Sequence, residues 1–395
     1  MTQTYVPPFS RSDQSLLARW FWTVDRGLVI AAMVLMGIGV ALSFASSPAA
    51  ILADEGLSNP FHYSIRMIAF VAAGVGVMLG ASLLSPRGVR RVAAFALVGA
   101  LLVMAILPIL GNEAKGATRW ILIGPFSLQP SEFAKPALIV LAAWMFAEGQ
   151  KGQGVPGVSI AFTFYAVTVG LLLIQPDIGQ TLLITTTFMA VFFMAGVPLK
   201  WMAVLGGLVM SGIFSLYFLF DHVRERVAKF LAPGQEDTHQ IDRASEAIRA
   251  GGLFGRGVGE GVMKRHVPDL HTDFIYSVGA EEFGLILSLV IISLYAFIVL
   301  RGLSRAMRLN DPFEQTAAAG LFMLIGLQAA INMAVNLNLI PTKGMTLPFI
   351  SYGGSSMVAM GLTMGLALAL TRRRAGAYEP GTGRRPAPKL GRILP

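Results

Sequence analysis

Cysteine is absent from this 395-residue sequence. That excludes disulfides and thiolate-held metals, so any large loop must keep its shape by packing and hydrogen bonding. Charge is scarce as well. Asp, Glu, Lys and Arg make up 13% of the chain against 54% hydrophobic residues, and mean hydropathy is +0.65. This balance excludes a soluble globular domain and fits a polytopic membrane protein. The five histidines lack metal spacing of the H-E-x-x-H kind. The glycines of 251–261 neither form G-x-G-x-x-G nor follow a strand, which argues against a nucleotide site. No cleavable signal peptide is expected, because the first apolar run is long and starts only after about 25 polar residues. The net charge of +9 follows topology and does not point to nucleic acid.

What the chain does hold is apolar runs of about 17 to 25 residues, each enough to cross a hydrocarbon core of about 30 Å. They lie near 27–46, 65–84, 92–110, 132–148, 157–175, 178–197, 201–220, 274–300, 315–339 and 352–371. The expected fold is therefore all-α, a single membrane domain over 1–395 with ten transmembrane helices. A cytoplasmic segment, 1–22, ends in the interfacial anchor Arg19, Trp20, Phe21 and Trp22. A large extracytoplasmic loop, 221–273, separates helices seven and eight, and the Gly-, Pro- and Arg-rich tail 375–395 is expected to be disordered. Arg11, Arg19, Arg26, Arg87, Arg90, Arg91, Lys151, Lys200, Arg301, Arg305, Arg308 and Arg372 to Arg374 all fall on one side, which the positive-inside rule assigns to the cytoplasm together with both termini.

The polar stretches 111–135, 175–180, 221–273 and 340–356 then open to the same outer face, where four segments can line one cavity. Within 266–284, HVPDLHTDFIYSVGAEEFG, Asp273 stands where a polar loop enters an apolar helix, and Glu281 and Glu282 follow about 12 Å further along. Carboxylates so placed point to a functional site, although Asp before an apolar run also serves as an N-cap worth roughly 1 kcal/mol. Glu281 and Glu282, about 100° apart on a helix, cannot face the same way. Glu132 and Lys135 share a helix face, with Ser131 as a candidate cap, and form either a plain ion pair or a cavity lining. Arg119 beside Trp120 is a belt residue or a planar fork for an oxyanion. Asp177, in Pro176-Asp177-Ile178-Gly179, is turn chemistry or a site group. Lys343, in a short apolar segment, snorkels or meets substrate. Ile241, Ala244, Ser245 and Ile248 mark one face of a loop helix ended by Gly251 and Gly252. Gly361 and Gly365 suit close helix packing.

Five segments, GATRWILIGPFSLQPSEFAK (116–135), QPDIGQT (175–181), GGLFGRGVGEG (251–261), the 266–284 stretch and PTKGMTLPFISYGGSS (341–356), together resemble the SEDS family (shape, elongation, division and sporulation) nearly end to end. The PTKGMTLPF form with Lys343 resembles its cell-division branch more than its elongation branch. The resemblance implies a glycosyltransferase that polymerises lipid II, an undecaprenyl-diphosphate-linked disaccharide-pentapeptide, into septal peptidoglycan strands at the outer face of the bacterial cytoplasmic membrane. Asp273 matches the family's proposed catalytic aspartate, a general base for the attacking sugar hydroxyl, and inversion is expected from a single displacement. Arg119, Gln129, Ser131, Glu132, Lys135, Asp177, Arg226, Lys343 and Ser355 are implied to bind substrate. The implied partners are a class B penicillin-binding transpeptidase, other divisome proteins and membrane lipids, with no nucleic acid; no fixed cofactor is implied, and a divalent cation, Mg or Mn, is admitted. A Gln-Ser pair usual in the long loop reads Arg243-Ala244 here, and Ala232 replaces an Asp, so less carries over for the loop helix than for Asp273. Two other classes stay open. A lipid II transporter calls for ionisable groups near the midplane and on both faces, and a noncatalytic scaffold would leave Asp273 dispensable.

Overall fold

The computed structural model describes residues 15–52, 59, 61–110, 112–114, 117–123, 126–152, 154–196, 239–257, 259–261, 271–341 and 344–372, with isolated residues between 203 and 224. Caps and prolines set many helix boundaries. The elements in order are α1 (Leu16–Thr23), α2 (Arg26–Leu52), α3 (His62–Ser82), α4 (Pro86–Leu110), the strands β1 (Asn112–Ala114), β2 (Ala117–Ile123) and β3 (Phe126–Leu128), then α5 (Pro130–Gln150), α6 (Gly157–Ile174), α7 (Ile178–Met194), α8 (His239–Gly251), α9 (Ile275–Ala306), α10 (Pro312–Asn336) and α11 (Gly354–Thr371). Pro130 and Pro312 sit in the first turns of α5 and α10, where the missing N–H is no loss. Asp177 and Asp311 cap α7 and α10 by accepting from Gln180 N and Glu314 N.

Among the described residues seven helices are long and apolar enough to cross a membrane: α2, α3, α4, α6, α9, α10 and α11. The shorter α7 is equally apolar, and α5 is buried along nearly its whole length while carrying Glu132 and Lys135. These helices coincide with nine of the ten expected runs. The run at 201–220 lies almost wholly outside the described residues, as do residues 1–14, the tail 375–395 and much of the 221–273 loop.

The all-α expectation needs one correction. Residues 112–128 form a three-stranded antiparallel meander in which Asn112 faces Trp120 and Ile121 faces Leu128. The run Thr118 to Ile123 is made of β-branched, aromatic and long side chains that favour a pleated surface.

α5 packs against α4, α6, α7 and α10, and α11 lies against α3. The glycine face serves that last contact as expected. A Cβ on Gly361 would stand 2.3 Å from Gly74 O, and one on Gly365 2.6 Å from Met78 O, so only glycine lets the two backbones approach this closely. At one end of the bundle Asp25, at the start of α2, pairs with Arg301 (2.9 Å) and Arg305 (2.8 Å) near the end of α9. Burial opposes ionisation of Asp25, but the hydrogen bond from Arg301 and the charge of Arg305 outweigh it and hold the carboxyl below its ordinary value. Arg90 lies over the Trp144 and Phe313 rings, which ties α4, α5 and α10 together at their basic ends.

α8 forms where the loop's helical spacing predicted it and stops at Gly251, followed by Gly252 at φ +56°. The glycines after it have a task that spacing could not reveal. α9 breaks at Gly284 (φ 75°, ψ −168°), and the broken helix is sealed by segment 251–257. The carbonyls of Glu281 and Glu282 accept from Arg256 N (2.9 Å) and Gly257 N (3.1 Å), while Leu285 N donates to Gly252 O (2.9 Å). Backbone groups freed inside a membrane protein must find such partners. The seam is tight: a Cβ on Gly255 would stand 2.0 Å from Glu282 O, and one on Gly284 2.4 Å from Gly255 N. Gly284→Ala therefore meets both a left-handed φ and a backbone clash, and is expected to destabilise the protein by at least about 2 kcal/mol. Gly76→Ala, with nothing within 4 Å of the added Cβ, is the control. Equal melting temperatures for the two variants in detergent would contradict the seam.

Candidate active site

Asp273 occupies the turn just before α9 and is half-buried. The N-cap of α9 is Phe274, with no side-chain capping bond, so Asp273 does not cap the helix and that alternative is set aside. Its turn is held instead by its main chain. Three successive carbonyls each accept from another part of the molecule. His271 O takes Tyr352 N at 3.0 Å, Thr272 O takes Ser351 Oγ at 2.5 Å, and Asp273 O takes the side-chain amides of both Asn332 and Asn336 at 2.9 Å. The His271 ring stacks on Tyr63, centroids 4.4 Å apart, and meets the edge of Tyr352. Gly344, at φ +58°, lies opposite, where an added Cβ would come to 3.8 Å from Asp273 Oδ2.

A second constellation lies deeper. Lys135 is fully buried and donates to Glu132 Oε1 (2.9 Å) and Gln328 Oε1 (2.8 Å). Gln180 Nε2 donates to the same Glu132 oxygen (2.9 Å). Gln328 Nε2 continues to Thr346 O (3.1 Å), and Thr346 Oγ1 meets Ser356 Oγ at 2.6 Å. Side chains of α5, α7, α10, α11 and the segment before α11 are thus joined in one polar chain. Among the described residues Glu132 Oε2 and Gln180 Oε1 are buried without a hydrogen bond, as is Ser355 Oγ in the first turn of α11. A buried carboxylate oxygen in that condition calls for a further partner, such as water, an ion or a ligand.

The two constellations share a helix face. Gln328, Asn332 and Asn336 stand at four-residue intervals on α10, and so line one stripe. Gln328 binds Thr346 O while Asn332 binds the neighbouring Met345 O at 2.6 Å, so consecutive peptide units tie the Lys135 group to the Asp273 turn.

Arg119, on β2, donates to Gln175 O (3.2 Å) and Pro176 O (2.5 Å) and lies 3.7 Å from Asp177 Oδ2. It locks the sheet onto the α6–α7 turn. Asp177 caps α7 through Gln180 N at 3.2 Å, which bears out its turn role, and burial raises its pKa despite the opposing charge of Arg119 and the capping bond. Gln129 is the N-cap residue of α5 without a side-chain capping bond, and Ser131 falls inside the first turn. The expected Ser131 cap is therefore corrected: with Pro130 in the first turn the helix starts two residues earlier, and its N-cap is Gln129. Glu281 and Glu282 are both buried, and Glu281 lies against Gly261, whose added Cβ would touch its carboxylate at 2.9 Å. Arg226 and Lys343 lie outside the described residues. Sequence reasoning missed Gln180, Gln328, Asn332, Asn336 and Thr346. The signal was present in α10, since three amides at i, i+4 and i+8 within an apolar span are as telling as a charge there.

Comparison with known proteins places the chain in a family. Residues 26–375 match the family described as cell cycle protein, that of FtsW, RodA and SpoVE. The chain is 65% identical over 370 residues, covering 94% of it and 95% of the relative, to a protein of Caulobacter vibrioides named "Probable peptidoglycan glycosyltransferase FtsW". It is 34% identical over 363 residues to a protein of the same name from Geobacter sulfurreducens, covering 89% of this chain and 96% of that one. Among solved structures it is similar to a chain from work on the coordination of polymerization and crosslinking by a peptidoglycan synthase complex, with TM-score 0.73, 26% identity, and 88% and 97% of the two chains covered. It is also similar to the rod shape determining protein RodA of Thermus thermophilus, with TM-score 0.65, 27% identity, and 88% and 96% covered.

Proposed function

The chain belongs to the cell cycle protein family of FtsW, RodA and SpoVE, the SEDS family, and from that premise we infer that it is a peptidoglycan glycosyltransferase that polymerises lipid II into septal glycan strands. Asp273 is the general base. It takes the proton from the acceptor sugar hydroxyl as that oxygen attacks the anomeric carbon of the donor, the C–O bond to the lipid diphosphate breaks, and the configuration inverts. One carboxylate suffices, because a diphosphate leaves without acid assistance from a second. What carries this reading is the Asp273 turn, whose three successive carbonyls are fixed from outside it. A base must hold its geometry to within a fraction of an ångström to be effective.

Lys135, with Glu132 beside it, supplies a buried cation to face diphosphate oxygens, while Gln129, Ser131, Asp177, Arg119 and Ser355 line the approach; Arg226 and Lys343 are assigned to substrate binding on the family resemblance alone. Among the described residues no three His, Cys, Asp or Glu side chains gather to hold a metal, so a divalent cation would take ligands from the diphosphate as well as from Glu132. Ten spans with both termini in the cytoplasm and a septal location complete the proposal, with the protein working in the inner membrane beside a class B penicillin-binding transpeptidase. The solved relative from a peptidoglycan synthase complex supports such a partner.

The test is a gel assay in which the purified protein, in complex with its transpeptidase, is given lipid II. A ladder of glycan strands is expected. A folded complex that yields none would hand the lead to transport or scaffolding.

A further inference from the structure

We propose that Asn332 and Asn336 are positioning residues for the reaction, setting the aim of the Asp273 carboxylate through its main chain. The proposal rests on Asp273 acting as the base. A turn residue outside any helix keeps two free backbone dihedrals unless something outside the turn holds it. Asp273 is in that position, because the N-cap of α9 is Phe274 and not Asp273. Its carbonyl is instead gripped by two amide donors, Asn332 Nδ2 and Asn336 Nδ2, each at 2.9 Å. The donors sit one turn apart on α10, both buried. Two converging bonds from one rigid helix fix the plane of the Asp273–Phe274 peptide, and with it the direction in which the side chain leaves Cα.

Each amide is itself oriented. Asn336 Oδ1 accepts from Ser277 Oγ (2.7 Å) and from Ser277 N (3.3 Å). Its Nδ2 also donates to Asn332 O at 2.9 Å. Asn332 spends its second donor on Met345 O (2.6 Å), the residue after Gly344, whose Cα side lies next to Asp273 Oδ2. Asn332 thus holds both the base and the wall the base faces. Neither amide is bonded to the carboxylate through any of these contacts; the grip is on the carbonyl. Loss of the grip should therefore misdirect the base without altering the proton it carries.

The experiment uses Asn332→Ala and Asn336→Ala in the complex with the transpeptidase, with lipid II as substrate. For each variant kcat is expected to fall about 10- to 100-fold, as a misplacement on the order of 1 Å does, with KM within about twofold of wild type. The pH–rate profile should keep its shape while losing height. In the Asp273→Ala background the same changes should leave lipid II binding unaltered. Should an alanine variant not fold, Asn332→Ser and Asn336→Ser keep the test open, since a helical serine satisfies its hydroxyl on its own preceding turn. The proposal is overturned if kcat per folded complex stays within about twofold of wild type, or if KM rises while kcat holds, which would make the asparagines substrate ligands. An inactive wild type would defeat the glycosyltransferase reading itself. That result cannot be confused with an active wild type whose asparagine variants are equally active.

Discussion

Asp273→Ala is expected to reduce lipid II polymerisation at least about 100-fold while the protein folds and binds its transpeptidase normally. Removal of a general base typically removes a factor of 10² to 10⁴, and a hundredfold loss corresponds to roughly 2.7 kcal/mol of transition-state stabilisation. Normal folding is a separate claim with its own grounds. The N-cap of α9 is Phe274, and the carbonyls of residues 271, 272 and 273 that accept from Tyr352, Ser351, Asn332 and Asn336 belong to the main chain, which alanine also has. Asp273→Asn should be about as inactive, since an amide of the same shape cannot take a proton at neutral pH. The assay is the glycan ladder at matched amounts of complex, with melting temperature as the check on folding. Wild-type rates in either variant would remove Asp273 from the mechanism.

The second large effect is on stability. Glu132→Ala would leave Lys135, which is fully buried, with Gln328 as its remaining partner among the bonds described here. Breaking a buried ion pair from one side costs about 3–5 kcal/mol, because the other charge stays desolvated. A fall of several degrees in melting temperature is therefore expected, together with loss of activity. The double variant Glu132→Leu, Lys135→Met separates the two consequences. Replacing a buried pair by apolar groups of similar volume is often neutral or stabilising, but the buried amides of Gln180 and Gln328 lose a bond each, so thermal stability should return in part while polymerisation does not. If activity returned with stability, the pair would be structural and the cation that faces the diphosphate would have to be sought elsewhere. If the single variant were as stable as wild type, the buried pairing itself would be wrong.

Much of this could be read along the chain, because a bilayer forces length and apolarity on anything that spans it. Nine of the ten apolar runs coincide with long described helices. The loop helix ending at Gly251 follows from 3.6-residue spacing and a glycine stop, and the Glu132–Lys135 pair from three-residue spacing on one helix face. Even the close approach of α3 and α11 is foreshadowed by Gly361 and Gly365. Each of these depends on neighbours within a few turns.

What could not be read that way depends on partners far apart in the chain. The break at Gly284 makes sense only with residues 252–257 laid against it. The meander at 112–128 is anchored by Arg119 to a turn more than 50 residues on. Spacing alone made Asp273 a plausible cap. Its actual place is fixed by two asparagines about 60 residues downstream, whose side-chain amides both meet the Asp273 carbonyl. Local periodicity encodes which face of a helix is polar. Which carbonyl that face will hold is settled when the helices pack, since a buried amide must be satisfied by whatever the packed bundle brings within about 3 Å of it.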